Sequence, residues 1–233
     1  MILISLDGAC RRNGKPDCVS AGGVFIQRFD EEGSVVETHV RSTFEIQSTN
    51  QRGEMLALID ALDYVYSNSL EYEYSNNTDA QIVTDSEYLF NAMTKDWITS
   101  WCNKGWLTAT GEPVKNKDLW EKVYYAQRRC SDAGIEVMFY HIKGHVIPFG
   151  KVTANTLLSK DETGRKLLDE VSNKLFTLVT SKKSEIEKAN KLSVKNNGFE
   201  LPEEELYKFI VANVVVDAVA TKCVEAADAL YHR

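Results

Sequence analysis

The chain has 233 residues, of which 43% are apolar and 26% are charged, and its formal net charge is −7. These fractions are ordinary for a soluble globular protein. The excess of acidic residues argues against nucleic-acid binding through bulk electrostatic attraction. A local basic or aromatic groove is still allowed, and a cluster of active-site carboxylates would itself make the total negative.

The length suits one sizeable domain or a domain with a large insertion. No apolar segment approaches the roughly 20 residues that span a bilayer, and the N-terminus has neither a basic lead nor a cleavage-site pattern. The five cysteines are odd in number, and no pair has the spacing of zinc ligands. We therefore expect reduced thiols in a cytoplasmic protein that does not associate with a membrane. We also expect a monomer.

The first predicted elements are three strands. An apolar run over residues 1–6 predicts a buried strand, which ends at Asp7 and Gly8. Residues 22–26 and 35–46 alternate between apolar and polar side chains, with turn residues between them. The three segments together predict an antiparallel meander.

From residue 52 onward, predicted helices and strands alternate. The helices cover residues 52–67, 87–93 and 116–133, and the strands cover residues 81–84 and 135–142. Residues 71–80 are a polar loop, and residues 96–105 are aromatic and turn-like. Strands followed by alternating helices and strands predict a mixed sheet covered by helices.

The composition changes after residue 145. Residues 146–198 are polar, and their basic residues outnumber the acidic ones. The apolar residues of this segment that fall at helical spacing are Leu167, Leu168, Val171, Leu175 and Leu178. A last helix begins after Pro202 and is apolar through Val224.

Three acidic side chains stand where sheet geometry can gather them. Asp7 ends the first strand, Asp85 ends the fourth, and Glu54 lies in the first turn of a helix. Singly, each has a structural explanation, as a turn residue, a helix cap or a partner of the helix dipole. Together they would repel one another unless cations lay between them, and oxygen ligands suit Mg²⁺ or Mn²⁺. Since two such ions promote phosphodiester displacement, the pattern predicts nuclease-like or polymerase-like phosphoryl chemistry.

The acidic residues stand in three short motifs, which are Ser-Leu-Asp-Gly at residues 5–8, residues 48–54 and residues 84–88. These motifs look like the three acidic motifs of type 1 ribonuclease H, and the resemblance extends over residues 1–145. The aromatic segment from Asp96 to Trp120 is similar to the handle region of the bacterial enzymes, and residues 140–145 are similar to their strand end. The resemblance implies an α/β, ribonuclease H-like fold, in which a mixed five-stranded sheet (antiparallel meander plus parallel strands) has helices on both faces.

The family also has a fourth carboxylate, on its last helix, in the pattern Asn-x-x-x-Asp-x-x-Ala. That pattern occurs here at residues 213–220, so Asp217 is the expected fourth ligand. Asp161 and Asp169 lie nearer to the end of the resemblance but do not have the pattern, and Asp217 could also face solvent in a polar stripe. This assignment makes residues 1–145 and 203–233 the catalytic domain, with residues 146–202 an inserted, helical segment.

The resemblance implies a role for each matching residue. Asp7, Glu54, Asp85 and Asp217 would hold two Mg²⁺ ions, or Mn²⁺, and His145 would assist proton transfer or product departure. The residues expected to contact an RNA–DNA hybrid are Cys10, Asn13, Thr49, Asn50, Gln51, Glu87, Trp97, Trp101 and Lys104. The tryptophans have a structural alternative as hydrophobic core, which we favour for Trp106 and Trp120.

Within the handle, residues 101–105 keep one lysine, Lys104, where the relatives make this region strongly basic. Basic residues of segment 146–202 would compensate, or they would form the solvated face of a helical hairpin. We expect an endoribonuclease that hydrolyses the RNA strand of hybrids and leaves 5′-phosphate and 3′-hydroxyl ends. The alternatives are an inactive hybrid-binding module and a related nuclease with another duplex or junction substrate.

Overall fold

The computed structural model describes residues 1–71, 80–146, 177 and 179–232. Its strands are β1 (Ile2–Arg11), β2 (Val19–Phe29), β3 (Val35–Ile46), β4 (Ala80–Thr84) and β5 (Val137–His141). Its helices are α1 (Asn50–Glu71), α2 (Glu87–Thr94), α3 (Trp97–Asn103), α4 (Lys117–Asp132), α5 (Lys183–Asn197) and α6 (Glu203–Tyr231).

The five strands form one sheet in the order β3-β2-β1-β4-β5. The β1, β2 and β3 strands pair antiparallel, whereas β4 pairs parallel to β1 and β5 pairs parallel to β4. Ser5 of β1 is the register partner of Val83 in β4, so Asp7 lies level with Asp85, which follows β4. The predicted end of the first strand at Asp7 and Gly8 is wrong, because residues 8–11 continue the pairing with β2 as far as Arg11. The predicted mixed sheet of a meander and parallel strands is confirmed.

Side chains of β1 alternate between two cores, as expected for a strand buried on both faces. Ile4 and Leu6 pack with α1, α2 and α4 on one face, in what we call the first core, while Leu3 packs with α6 on the other face, in the second core. Helices therefore cover both faces of the sheet, as predicted. The strand period of two also puts Asp7 on the same face as Leu3, toward α6.

The aromatic segment after α2 differs from its prediction. Residues 97–103 form a helix, α3, instead of a turn. Ile98 of α3 is buried, and Trp97 and Trp101 are one helical turn apart with their ring centroids separated by 5.9 Å. Packing of these apolar side chains against the first core stabilises a short helix that its sequence period alone did not indicate.

The cysteines also differ from their prediction. Cys10 at the end of β1 and Cys18 before β2 form a disulfide, whereas all five thiols were expected to be reduced. The antiparallel β1–β2 hairpin brings the two residues together, because Cys10 is the register partner of Ser20. Cys102, Cys130 and Cys223 are free thiols.

One helix of the segment 146–202, α5, is described, and it packs on the second core through Ile186. The five apolar residues that the sequence places at helical spacing lie outside the described residues. They are Leu167, Leu168, Val171, Leu175 and Leu178. Among the described helices, none has a stretch long and apolar enough to cross a membrane.

Candidate active site

Asp7 lies at the centre of the candidate site, on the face of the sheet that α6 covers. It is 6% exposed and is paired across the β1–β2 ladder with Gly23. A Cβ atom on Gly23 would lie 2.9 Å from the backbone nitrogen of Ala220 and 3.0 Å from the backbone oxygen of Val216. The absence of a side chain at Gly23 thus lets α6 approach the sheet and brings Asp217, the residue after Val216, toward Asp7.

Glu54 reaches the site from the first turns of α1, and two neighbours hold its carboxylate. The side-chain amide of Asn50 donates to Oε1 at 2.9 Å, and the Ser86 hydroxyl donates to Oε2 at 2.6 Å. Ser86 also caps α2, so the start of that helix and Glu54 are fixed by one side chain. Sequence reasoning gave no indication of this contact between Ser86 and Glu54.

Asp85 follows β4 and lies against the loop that leaves β5. A Cβ atom on Gly144 would overlap the Asp85 carboxylate, so this carboxylate packs against bare backbone. The next residue, His145, has a left-handed backbone with φ of 55° and a side chain that is 76% exposed. Its Nδ1 lies 3.6 Å from Oδ2 of Asp217, so the loop after β5 contacts the predicted ligand on α6.

The pKa of the buried Asp7 carboxyl group and those of the half-buried Glu54 and Asp85 are displaced upward. Burial is the largest cause of the raised pKa of Asp7, followed by the charges of Asp85 and Asp217. Burial also raises the pKa of Glu54 and of Asp85, and the charge of His145 opposes this shift for Asp85. Four acidic side chains therefore share a site in which their negative charges are poorly compensated.

The donor set fits a hard divalent cation. Within the described residues, Asp7, Glu54 and Asp85 form no ion pair with lysine or arginine, and all the ligands on offer are carboxylate oxygens. In the same part of the chain, no three His, Cys, Asp or Glu side chains are close enough to enclose an ion as they stand. Closer approach of the carboxylates without a cation would raise their energy.

Polar residues predicted to bind substrate lie around this edge of the sheet. Asn13 and Glu87 are exposed, in the β1–β2 hairpin and at the start of α2 respectively. Thr49 precedes α1, and Gln51 accepts a hydrogen bond from Lys115 at 3.2 Å. Asn50 is already engaged with Glu54, and the sulfur of Cys10 is bonded to Cys18.

The aromatic residues divide into two groups. Trp97 and Trp101 of α3 are half-buried, and Lys104 after α3 is exposed. Trp120 is fully buried, and its indole nitrogen donates to the Tyr88 hydroxyl at 2.9 Å. The expectation that Trp106 and Trp120 belong to the core is confirmed, because both are buried in the first core.

Sheet order and helix placement define the protein as one with a ribonuclease H-like fold. A sequence model described as RNase H matches residues 2–160 of the chain. The chain belongs to the ribonuclease H family, whose members generally depend on divalent metal ions. Because the match ends at residue 160, α5 and α6 lie beyond it.

Several bacterial proteins named ribonuclease H are similar to the chain. That of Clostridium botulinum is 31% identical over 144 residues, which are 62% of this chain and 83% of the relative. That of Cereibacter sphaeroides is 37% identical over 140 residues, which are 60% and 80% of the two chains. That of Rickettsia typhi is 30% identical over 168 residues, which are 72% and 95%.

Among solved structures, the PFV RNase H domain has a TM-score of 0.46 and 18% identity, covering 63% of this chain and 81% of that one. LC11-RNase H1, solved in complex with an RNA/DNA hybrid, has a TM-score of 0.42 and 23% identity, covering 61% and 86%. The family assignment and the predicted fold are confirmed by the family match and the bacterial relatives.

Proposed function

We propose that this chain hydrolyses the RNA strand of RNA–DNA hybrids with divalent ions held by Asp7, Glu54, Asp85 and Asp217, leaving 5′-phosphate and 3′-hydroxyl ends. The family and the relatives named ribonuclease H support the reaction. The observation that supports the ligand set is the burial of the Asp7 carboxylate, which is 6% exposed and has three other carboxylates near it. A buried negative charge of this kind is costly unless a cation compensates it.

Mg²⁺ is the expected ion, with Mn²⁺ as an alternative, because the ligands are oxygen atoms only. When bound, such ions make water a stronger nucleophile and stabilise the oxygen that leaves. The protein itself contributes the position of each oxygen ligand. Asn50 and Ser86 orient Glu54, Gly144 supports Asp85, and the packing of α6 on β2 places Asp217.

His145 is suited to moving a proton between the site and solvent. Its ring is 76% exposed, and Nδ1 lies 3.6 Å from the Asp217 carboxylate. An imidazole in that position can take up or release a proton at the reacting edge without entering the ligand set. We assign His145 this role and assign no covalent step to any side chain.

The substrate contacts that we propose are made by residues on the surface around the carboxylates. Asn13 and Thr49 would contact the phosphates of the DNA strand, and Asn50, Gln51 and Glu87 would line the RNA strand. The 2′-hydroxyl is the group by which RNA is told from DNA. Trp97 and Trp101, whose rings adjoin each other at 5.9 Å, would pack on the DNA sugars, with Lys104 near a phosphate.

Three further expectations from the sequence also stay predictions. We propose that residues 146–202 are an insertion within the catalytic domain of residues 1–145 and 203–233, supported by the contacts of α6 with β1 and β2. A monomer and a cytoplasmic location are the other two. The Cys10–Cys18 disulfide does not favour the cytoplasmic location, because disulfides are rare in that compartment.

A cleavage assay tests the proposed function directly. The full chain is incubated with an RNA–DNA hybrid, an RNA duplex, a DNA duplex and single-stranded RNA, each with Mg²⁺ or with EDTA. We expect cleavage of the hybrid alone, in its RNA strand, and only with Mg²⁺. Binding of the hybrid without cleavage would establish the inactive module instead, and cleavage of another duplex would establish a nuclease of different specificity.

A further inference from the structure

The α5 helix, which lies beyond the family match, contacts the strand end next to Asp85. The His141 backbone N–H donates to Oδ1 of Asn197 at 2.8 Å, and the Asn197 amide donates to the His141 carbonyl at 2.9 Å. The neighbouring Asn196 places its amide nitrogen 3.1 Å from Nδ1 of the His141 ring. Two consecutive asparagines at the end of α5 thus hold one residue of β5.

The geometry of the sheet explains why His141 accepts this contact. The β5 strand lies at one edge, and Ile142 donates its N–H to the carbonyl of Thr84 in β4 at 3.1 Å. In a parallel ladder the N–H and C=O of the preceding residue then point away from β4. Asn197 satisfies both of these outward groups with one side-chain amide, as a further strand would.

The His141 ring is buried and has neighbours on several sides. It is 4% exposed, it lies edge-on to Phe90 at 5.7 Å between centroids, and burial lowers its pKa. An amide nitrogen can only donate, so Nδ1 accepts from Asn196 and the ring proton is on Nε2. The ring also interacts with the backbone of Asp85, which has a smaller, opposing effect on the same pKa.

His141 therefore connects α5 to the turn that presents Asp85. Thr84, the register partner of His141, immediately precedes Asp85, and Phe90 belongs to the helix that follows it. On the other side, the chain from His141 reaches Gly144 within three residues, and Gly144 forms the wall against which the Asp85 carboxylate packs. Displacement of the end of β5 would therefore displace both Thr84, which precedes Asp85, and the Gly144 backbone, on which the Asp85 carboxylate packs.

We propose that Asn196 and Asn197 are positioning residues, which hold the Asp85 carboxylate in place by anchoring His141 at the end of β5. This inference rests on the proposed function only in taking Asp85 as a metal ligand. Residues that orient a metal ligand from behind commonly change metal affinity or activity about 10-fold to 100-fold when they are removed. The α5 helix would then contribute to the site although none of its side chains enters it.

The test compares Asn197→Ala with Asn190→Ala in the full chain. Asn190 is the matched control, because it lies on the same helix and bonds Glu200 at 3.0 Å instead of β5. Four quantities are measured: hydrogen exchange of the His141 amide without metal, the Kd for Mn²⁺ by calorimetry, and kcat and KM for hybrid cleavage. Thermal unfolding verifies that each variant is folded.

For Asn197→Ala we expect about 10-fold faster exchange at His141, about 10-fold weaker Mn²⁺ binding and about 10-fold lower kcat, with KM changed less than about twofold. Asn190→Ala should leave all four quantities near those of the parent. Asn197→Asp keeps the acceptor for the His141 N–H but loses the donor, so an intermediate effect is expected, and this variant serves if Asn197→Ala does not fold.

An unchanged Mn²⁺ Kd in Asn197→Ala, or equal losses in Asn190→Ala, would overturn the proposal. Failure of the proposed function is a separate result, because the parent chain would then not cleave the hybrid. In that event, hydrogen exchange and Mn²⁺ binding still decide whether α5 positions Asp85.

Discussion

Asp7 and Gly23 are register partners in the β1–β2 ladder, and the glycine decides how near α6 comes to the carboxylate. A side chain on Gly23 would collide with the backbone of α6 at Val216 and Ala220. Asp217 follows Val216, so its distance from Asp7 depends on a residue of a third element. The fourth carboxylate of the site is therefore set by close packing between a helix and a sheet.

Gly23→Ala should damage both stability and activity. The added methyl group overpacks the contact between β2 and α6, for which we expect a loss of about 1–3 kcal/mol in the free energy of unfolding. The shift of α6 should also lower kcat by moving Asp217. Urea unfolding and hybrid cleavage measure the two effects. A variant with the kcat and unfolding midpoint of the parent would contradict the role given to Gly23.

Asp217→Asn should lower kcat by about 100-fold or more, because the amide cannot replace a charged metal ligand. Asp161→Asn and Asp169→Asn are the comparison variants, since these residues are the other candidates for the fourth ligand. We expect both to cleave the hybrid at nearly the parental rate. If one of them is inactive and Asp217→Asn is not, the boundaries of the proposed insertion are wrong.

Trp97 and Trp120 should respond differently to removal. Stacking or packing of an aromatic side chain on a nucleotide contributes about 1–3 kcal/mol, so Trp97→Ala should raise KM for the hybrid roughly 10-fold and leave the fold intact. Trp120 is fully buried, and Trp120→Ala should cost about 3–5 kcal/mol of unfolding free energy. Calorimetric unfolding and steady-state kinetics separate the two effects. An unchanged KM for Trp97→Ala would remove it from the binding surface.

The sequence predicted the sheet and indicated most of the candidate site residues because the signals were local. The apolar run of β1, the acidic residue that follows this run and the one after β4 are each visible within ten residues. The Asn-x-x-x-Asp pattern pointed to Asp217 through the resemblance, and the structure places its charge near Asp7.

Other features depended on contacts between distant residues and gave no local signal. The Ser86 hydroxyl bonds Glu54 across 32 positions, and Asn197 bonds His141 across 56. The α3 helix is stabilised by packing of its apolar residues on the core. The Cys10–Cys18 pair is close in sequence, but its spacing did not indicate that the β1–β2 hairpin brings the two sulfurs together. A polar side chain in a periodic pattern does not reveal which of its neighbours in space it will contact.

Asp7→Asn should stabilise the metal-free protein while abolishing activity. The pKa of Asp7 is raised above its ordinary value of 3.8, chiefly by burial. The folded state therefore binds more protons than the unfolded state, so this group makes the folded state less stable as pH rises from about 3.8 through the raised pKa. Asparagine removes that charge, and we expect about 1–3 kcal/mol of added stability near pH 8 in EDTA.

The difference between the two proteins should disappear at pH values below the ordinary Asp pKa of 3.8, where the Asp7 carboxyl is protonated in both states. Mg²⁺ should reverse the order near pH 8, since a cation that binds the folded parent stabilises it and has a poorer site in Asp7→Asn. Urea unfolding at both pH values, with EDTA or Mg²⁺, measures these changes. A variant less stable than the parent near pH 8 in EDTA would show that the Asp7 charge is already compensated within the protein, and the case for a cation at this carboxylate would fail.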